Sequence, residues 1–426
     1  MNGSKPLPLL VVGAGIAGIT AALESAEAGR EVFLVEREAY VGGRVVRTHH
    51  YFPKLCPPSC GMEINTRRLE KSTRVRVLTD TRVARAARVP EGWSVTLSLS
   101  PAYVTKRCTC CGACSAVCPA RVPDAHNPAF GGTFGGTLWG VPAIRLPHPN
   151  AWPRRYALER SACPEGCRKC VEACQYDAIR LDATGREETV TVSAVVAATG
   201  WHPYPLERLP ELGGGLFPDV IANVQLERLA SPSGPTGGKI LRPSDGQAPR
   251  RVAFIQCAGS RDVKHLPYCS AVCCLASLKQ ALYVHEQLPE AEVRIYYIDR
   301  RTPGRNEDVL TRVAATSGIS LIKGKVGKVE RDGNGALTLR LEDVATARLE
   351  SHQADLVVLA TGMVPNLRDD SLVFDLQRDE DGLGLEQLAQ GVMVAGVARR
   401  PEDVAASVRD ATGTAAKACS VAAGRT

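Results

Sequence analysis

Aromatic residues are scarce in this chain, 5 % of 426 residues, with only four tryptophans and four methionines. All-β folds lean on aromatic and β-branched strands, so the shortage argues against a sandwich or barrel. No apolar run reaches the 18 or so residues that a membrane span needs. No secretory leader is legible: the apolar stretch Leu7–Val12 runs directly into a glycine loop and reads as a strand. Basic pairs recur at Arg154-Arg155, Arg250-Arg251, Arg300-Arg301 and Arg399-Arg400 without merging into a stripe, which speaks against nucleic acid as a partner. The formal charge of +7 is read as solvation plus a docking face for an acidic protein. Sixteen cysteines in a long chain with no leader point to a reduced, cytoplasmic protein rather than a disulfide scaffold. Attachment to a membrane is expected to run through another subunit.

Glycine, by contrast, is abundant at 39 residues. The strand Leu7–Val12 ends in Gly13-Ala-Gly15-Ile-Ala-Gly18, a helical stretch Ile19–Ala28 follows, and a strand Glu31–Val35 ends at Glu36. Such a β-turn-α-β unit uses one glycine for the tight turn, one for backbone access to a pyrophosphate and one for helix–strand packing. The closing acid takes a ribose hydroxyl. Gly42-Gly43-Arg44 lies just beyond. The combination resembles the two-dinucleotide-binding-domain flavoproteins related to glutathione reductase, and this resemblance implies FAD at the first loop. Two later strands end alike, Val195-Val-Ala-Ala-Thr199-Gly200 and Val357-Val-Leu-Ala-Thr-Gly362, as expected for the two crossings into an inserted second nucleotide fold. The stretch Val392–Val397 with a helix through Ala418 resembles the closing FAD motif, except that Val397 follows Gly396 where that motif carries Asp. Cofactor contacts are thus expected at Gly13, Gly15, Gly18, Glu36, Arg37, Gly42, Gly43, Arg44, Thr199, Gly200, Gly362 and Gly396.

Nine of the cysteines fall between residues 104 and 182. Cys108, Cys111, Cys114 and Cys118-Pro119 fit C-x2-C-x2-C-x3-C-P, the bacterial ferredoxin spacing for 4Fe–4S clusters. A second quartet, Cys163, Cys167, Cys170 and Cys174, keeps the last two gaps but has x3 in the first and Gln175 in place of proline. In two-cluster ferredoxins the last cysteine of each quartet ligates the other cluster. The expected sets are therefore Cys108, Cys111, Cys114 and Cys174 for one cluster, and Cys163, Cys167, Cys170 and Cys118 for the second. Structural zinc is the alternative, since paired cysteines also bind zinc. Cys110 is a spare. The stretch Pro128–Gly140 reads as a loop, and Pro232–Pro249 as a linker or extended docking loop.

A third group replaces something expected. The strand Arg251–Gln256 should lead into a nicotinamide glycine loop, yet the chain continues Cys257-Ala-Gly-Ser-Arg-Asp, then Cys269-Ser-Ala-Val-Cys273-Cys274. Thiolates stand where a phosphate cradle would be; a further cluster is expected, with buried cysteines or a redox pair as the plainer alternatives. A fourth group, Cys56-Pro-Pro-Ser-Cys60, lies roughly where disulfide reductases carry their redox cysteines, and is read as a catalytic pair or as a fixed proline-rich turn near the flavin.

Together these residues resemble the A subunits of heterodisulfide reductase, and more closely the A subunits of the quinone-interacting membrane-bound oxidoreductase (Qmo) family. The resemblance rests on residues 12–22, 51–64, 234–246 and 256–280. The extra terminal regions of longer heterodisulfide reductase A subunits are missing, which is taken to favour the quinone-linked family. The resemblance implies an α/β fold of two Rossmann domains with a ferredoxin-like insertion. The expected division is residues 1–103, 183–250 and 363–426 for the FAD domain with a linker, 104–182 for the insertion and 251–362 for the second nucleotide fold. It implies FAD, 4Fe–4S clusters, a cluster at Cys257, Cys269, Cys273 and Cys274, and electron relay between membrane quinone and adenylylsulfate reductase. Expected partners are a second A-like subunit with flavin and iron–sulfur groups, and a membrane subunit with cytochrome and iron–sulfur groups. The alternatives are a flavin subunit of the heterodisulfide-reductase A type, electron bifurcation included, or a stand-alone NAD(P)H-dependent disulfide or sulfur reductase.

Overall fold

The computed structural model describes residues 6–52, 55–124, 126–127, 140–333, 335–344, 348–370 and 372–424. Most of the loop expected at Pro128–Gly140 lies outside the described residues; Gly140 itself opens a short strand, Gly140–Pro142. The expected two-Rossmann α/β architecture is present.

The first strand, Leu9–Val12, lies at the centre of a five-stranded parallel sheet. Val32–Val35 and then Val75–Leu78 add on one side, Ala194–Ala197 and then Val392–Val394 on the other. Its side chains alternate between two cores, as the period of two in a strand requires. Leu9 and Val11 pack with the helices Ile16–Glu27 and Val404–Val421. Leu10 and Val12 face a core shared with Trp93, Val95 and Leu97, from an antiparallel sheet of Thr81–Val89, Gly92–Leu99 and Arg186–Val192. Each such fully buried aliphatic side chain contributes roughly 1.5–3 kcal/mol, which locks the strand's register under the loop that follows it.

The second sheet has seven strands. Val220–Ala222, Leu356–Thr361, Arg251–Ala258, Glu292–Tyr297 and Ile319–Arg331 run parallel, and Leu337–Asp343 and Arg348–Ala354 complete it as an antiparallel hairpin. The expected division assigns Val220–Ala222 to the first domain. The strand instead pairs with Leu356–Thr361, and the helix after it, Asn223–Ala230, packs in the second core. The expected linker, residues 232–249, also folds onto this unit: Ile240 is buried in the same core. A three-residue strand carries too little pattern to reveal its partner. The two crossings pair with each other, Trp201–Pro203 against Met363–Pro365.

The insertion leaves and returns through one neck, where Val104 bridges Ile179 and Thr105 N–H donates to the Ala178 carbonyl. Among its described residues the regular structure comprises two-residue and three-residue strand pairs and the one-turn helices Ala113–Ala116 and Lys169–Glu172. Apolar side chains from both quartets meet in a small core that includes Cys114, Cys170, Ile144 and Ile179.

Candidate functional site

The three glycines of the first loop play three distinct structural parts. Gly13 has φ +100°, and a Cβ there would run into the Ala198 carbonyl, so the turn admits glycine alone. A Cβ on Gly18 would overlap the Gly13 carbonyl oxygen, which keeps the helix close to the strand. A Cβ on Gly15 would meet only Gly43 Cα, at 4.0 Å. That open side lies at the N-terminus of helix Ile16–Glu27, whose cap has no side-chain hydrogen bond. Free N–H groups beside open space at a helix N-terminus suit a phosphate.

Around this cradle, Glu36 is buried and accepts from Ala14 N–H at 2.7 Å and Glu38 N–H at 3.0 Å. Burial nevertheless raises its carboxyl above the ordinary value. Gly42 N–H donates to the Ala14 carbonyl, tying the Gly42–Arg44 segment to the loop. Arg44 donates to the Trp201 carbonyl and lies 4.9 Å from that indole's centroid; burial brings its guanidinium down to about 10. Trp201 follows Gly200 at the first crossing, where the Thr199 hydroxyl oxygen is buried with no protein partner. An orphaned hydroxyl next to the glycine cradle is what a bound cofactor would satisfy. Arg37 points outward, 51 % exposed, beside Glu38. Gly396 has φ +66° and packs on Ala17, and its N–H donates to buried Asp410, which is also paired with Arg399. Asp410 thus anchors the turn in which Val397 replaces the usual acid. At Gly362 a Cβ would meet Leu266 and the Ser260 and Ser270 hydroxyls, so the second crossing packs against the loop after Cys257.

Both ferredoxin-type sets converge. One hollow is lined by Cys108, Cys111, Cys114 and Cys174, and a second by Cys118, Cys163, Cys167 and Cys170. Each hollow takes its outlying cysteine from the other quartet. Burial beside Cys108 pushes the Cys114 thiol up to about 12, so it keeps its proton unless a metal displaces it.

In the third group, the strand Arg251–Ala258 slips register between Ile255 and Ala258, and Cys257 sits in the left-handed region at φ +57°. A bulge of this kind re-aims a side chain at a site. Cys257 Sγ lies 4.0 Å from Cys273 Sγ, at the start of helix Cys273–Gln287, and Cys257, Cys273 and Cys274 pack together on Ala360. Hydrogen bonding shared with Cys273 lowers Cys257 to about 7 and Cys274 to about 6, helped by Arg261 and the Arg301 backbone respectively. Cys273, set between the two, is raised well above the ordinary value. Cys269 stands outside this cluster, its Sγ accepting from Ala271 N–H at 3.4 Å. Among the described residues no three His, Cys, Asp or Glu side chains converge as a single metal ion requires.

Cys56 and Cys60 are free thiols, with Cys60 exposed in the first turn of helix Pro58–Lys71; burial and the neighbouring Cys60 raise the Cys56 thiol above its ordinary value. Met62 of that helix reaches Gly42.

Two polar clusters have no signal in the sequence. Lys279 and Glu227 form a buried ion pair at 2.9 Å; Lys279 also donates to the His50 carbonyl, and Gln280 donates to Glu227. They join the helix after Cys274 to the segment after Arg44. Elsewhere, His126 and His148 stack at 4.9 Å against Tyr40, and each keeps a buried ring nitrogen without a partner. Fully buried Arg228 lies nearby, bonded to Asn127, Ser233 and the Arg47 carbonyl. Each cluster joins residues from distant parts of the chain, so no short window could expose it.

The fold and the glycine cradle define a class, a protein of two nucleotide folds whose first carries a dinucleotide-type glycine cradle. Residues 8–101 match the family model of FAD dependent oxidoreductases. Among solved structures, thioredoxin reductase of Lactococcus lactis superposes with a TM-score of 0.53 at 13 % identity, covering 98 % of this chain and 99 % of that one. The bacillithiol disulfide reductase of Bacillus cereus gives 0.51 at 12 %, covering 99 % of each. Closer in sequence are components of heterodisulfide reductases. The A subunit of the H(2):CoB-CoM heterodisulfide,ferredoxin reductase of Methanothermobacter marburgensis is 34 % identical over 96 % of this chain and 63 % of its own length. The iron-sulfur A subunit of the CoB–CoM heterodisulfide reductase of Methanocaldococcus jannaschii is 35 % identical over 95 % and 63 %. The chain thus spans about 63 % of the length of these relatives. Among the described residues no helix is long and apolar enough to cross a membrane.

Proposed function

We propose that this chain is the flavin and iron–sulfur electron-transfer subunit of a heterodisulfide-reductase-like complex. The observation that carries the reading is the crossed grouping of the cysteines into two hollows, in a chain that also holds a flavin-type glycine cradle. Gly13, Gly15 and Gly18 set the cradle, Glu36 takes the ribose, and Gly42, Gly43, Arg44, Thr199, Gly200 and Gly396 border the cofactor. FAD, when bound, supplies the exchange between two-electron and one-electron steps. Cys108, Cys111, Cys114 and Cys174 hold one 4Fe–4S cluster; Cys118, Cys163, Cys167 and Cys170 hold a second. A single zinc would bring its sulfurs to about 2.3 Å of one point, and among the described residues no three such ligands converge that closely. Cys257, Cys273 and Cys274, with Cys269 as fourth ligand, hold a third cluster. Cys56 and Cys60 serve as a thiol pair able to cycle between dithiol and disulfide.

The relatives are components of multi-protein reductases, which supports partner subunits here. We assign these as a second A-like subunit with flavin and iron–sulfur groups, and a membrane subunit with cytochrome and iron–sulfur groups. Adenylylsulfate reductase as the terminal partner rests on motif resemblance alone; co-purification from native cells tests it. The central test is the iron-to-flavin ratio of anaerobically purified protein. About twelve irons per FAD supports three clusters; about eight removes the one at Cys257, and none overturns the reading.

A further inference from the structure

The glycine cradle lies at the carboxyl edge of the five-stranded parallel sheet, where open α/β sheets take their ligands. In sheet order, Val32–Val35 runs into Glu36 and Leu9–Val12 into Gly13. Ala194–Ala197 then leads to Thr199, and Val392–Val394 to Gly396. The last two loops stay side by side, since Ala395 N–H donates to the Ala197 carbonyl at 2.9 Å. A dinucleotide with its adenosine ribose at Glu36 and its pyrophosphate at Gly13 carries its next segment over these two strands, roughly 5 and 10 Å further along the edge. In FAD that segment is the ribityl chain, a run of carbons each bearing a hydroxyl. Among the described residues, the loops that follow these two strands each hold one buried side-chain oxygen without a hydrogen-bond partner: the Thr199 hydroxyl and Glu402 Oε1.

Glu402 is an unusual place for a charge. The residue is 6 % exposed, and only its Oε2 is engaged, by Arg400 Nε at 3.2 Å. Arg400 is 57 % exposed and could pair in solvent without any buried partner. The same guanidinium lies 3.6 Å from Asp410, which accepts from Gly396 N–H at 2.8 Å, and Arg400 N–H donates to the Gly396 carbonyl at 3.3 Å. Glu402 is thereby fixed to the Gly396 turn, and that turn packs on Ala17 in the first turn of the cradle helix. Burial raises its carboxyl above the ordinary value, against the pull of Arg400. A buried carboxylate oxygen left orphaned is costly unless a further group bonds it.

We propose that Glu402 is the ribityl-binding acid of this chain, its Oε1 accepting a hydroxyl of FAD in place of the Asp that Val397 replaces. The proposal rests on the reading that FAD occupies the cradle, and adds the residue that recognises its polyol segment. Val397 offers no polar side-chain atom at the turn, and Glu402, five residues on, brings a carboxylate back to it.

The experiment uses the full chain freed of flavin and two probes, FAD and ADP, titrated by calorimetry. ADP fills the adenosine and phosphate parts of the cradle and has no ribityl chain. Glu402→Ala should weaken FAD by about 10- to 150-fold, the loss of one charge-assisted hydrogen bond, and leave ADP bound as in wild type. Glu402→Gln keeps the shape and a neutral acceptor, so it should weaken FAD alone and by less; it also decides the matter if the alanine variant does not fold. Unchanged FAD affinity, or equal weakening of FAD and ADP, overturns the assignment, the second outcome marking Glu402 as a structural partner of Arg400. Failure of the underlying reading is distinct: wild-type protein that does not take up FAD.

Discussion

Gly15 and Gly18 stand three residues apart in one helix-opening loop, and replacing each by alanine should do opposite things. Gly15 has φ −74° and ψ −174°, a conformation any residue adopts, and the nearest atom to an added Cβ is Gly43 Cα at 4.0 Å. Alanine is a poorer helix cap than glycine by about 0.5–1 kcal/mol, while its stiffer unfolded chain returns about 0.4–1 kcal/mol. Gly15→Ala should therefore leave the stability of flavin-free protein within about 0.5 kcal/mol of wild type. Its methyl would, however, occupy the side from which a pyrophosphate approaches the N–H groups. Losing one charge-assisted hydrogen bond, about 1.5–3 kcal/mol, weakens FAD by about 10- to 150-fold. Gly18→Ala puts its Cβ into the Gly13 carbonyl, which is backbone and does not yield, so destabilisation of about 1–3 kcal/mol or more is expected. Urea unfolding of the deflavinated proteins and FAD titration by flavin fluorescence separate the two effects. Equal destabilisation by both substitutions, or wild-type FAD affinity in Gly15→Ala, would refute the division of labour among the glycines.

Three other outcomes are expected. Burial holds His126 down to about 2 and His148 down to about 4, against 6.5 when unfolded. Below pH 6.5 the unfolded chain therefore binds protons that the folded one refuses. Stability is full above that pH and falls on acidification by about 1.4 kcal/mol per pH unit per histidine until pH 4; urea midpoints at pH 7 and 5.5 should show it, and His126→Asn/His148→Asn should flatten the slope. Lys279→Met leaves the Glu227 carboxylate buried without its cation. It should cost about 3–5 kcal/mol, and Glu227→Gln/Lys279→Met should recover part of that loss in the same denaturation assay. Cys118→Ser and Cys163→Ser, substituted 45 residues apart, should abolish the same electron paramagnetic resonance signal, whereas Cys174→Ser abolishes the other. Loss of one signal by Cys118→Ser and Cys108→Ser alike would show that the quartets are not crossed.

The local features were legible from the chain alone because local physics sets them. The spacing Gly13, Gly15, Gly18 with Glu36 specifies strand, turn, helix and strand, because each glycine answers a steric demand within a few residues. The cysteine spacings are legible for the same reason, since ligands on one short turn must be two or three residues apart. The sheet assignments of Leu9–Val12 and Leu356–Thr361 follow from unbroken apolar runs, as strands buried on both faces require. Other features depended on contacts that no short window contains. Val220–Ala222 has no pattern of its own and belongs to the second sheet only because Leu356–Thr361 offers an open edge. Gly362 repeats the Ala-Thr-Gly ending of Gly200, yet Ser260, Leu266 and Ser270, roughly a hundred residues earlier, close over it. Cys269 shares a motif with Cys273 and Cys274 but is not among the side chains packed on Ala360, and the chain between turns through Ala271 at φ +60°. Lys279, Glu227, Arg228, His126 and His148 read singly as surface residues. Packing buries them, and a charge or imidazole taken out of water must then find partners wherever the fold supplies them. The residue types and spacings thus determined which chemistry this protein carries, while the tertiary structure decided which of its groups face one another, since burial and long-range contact arise only from the folded chain.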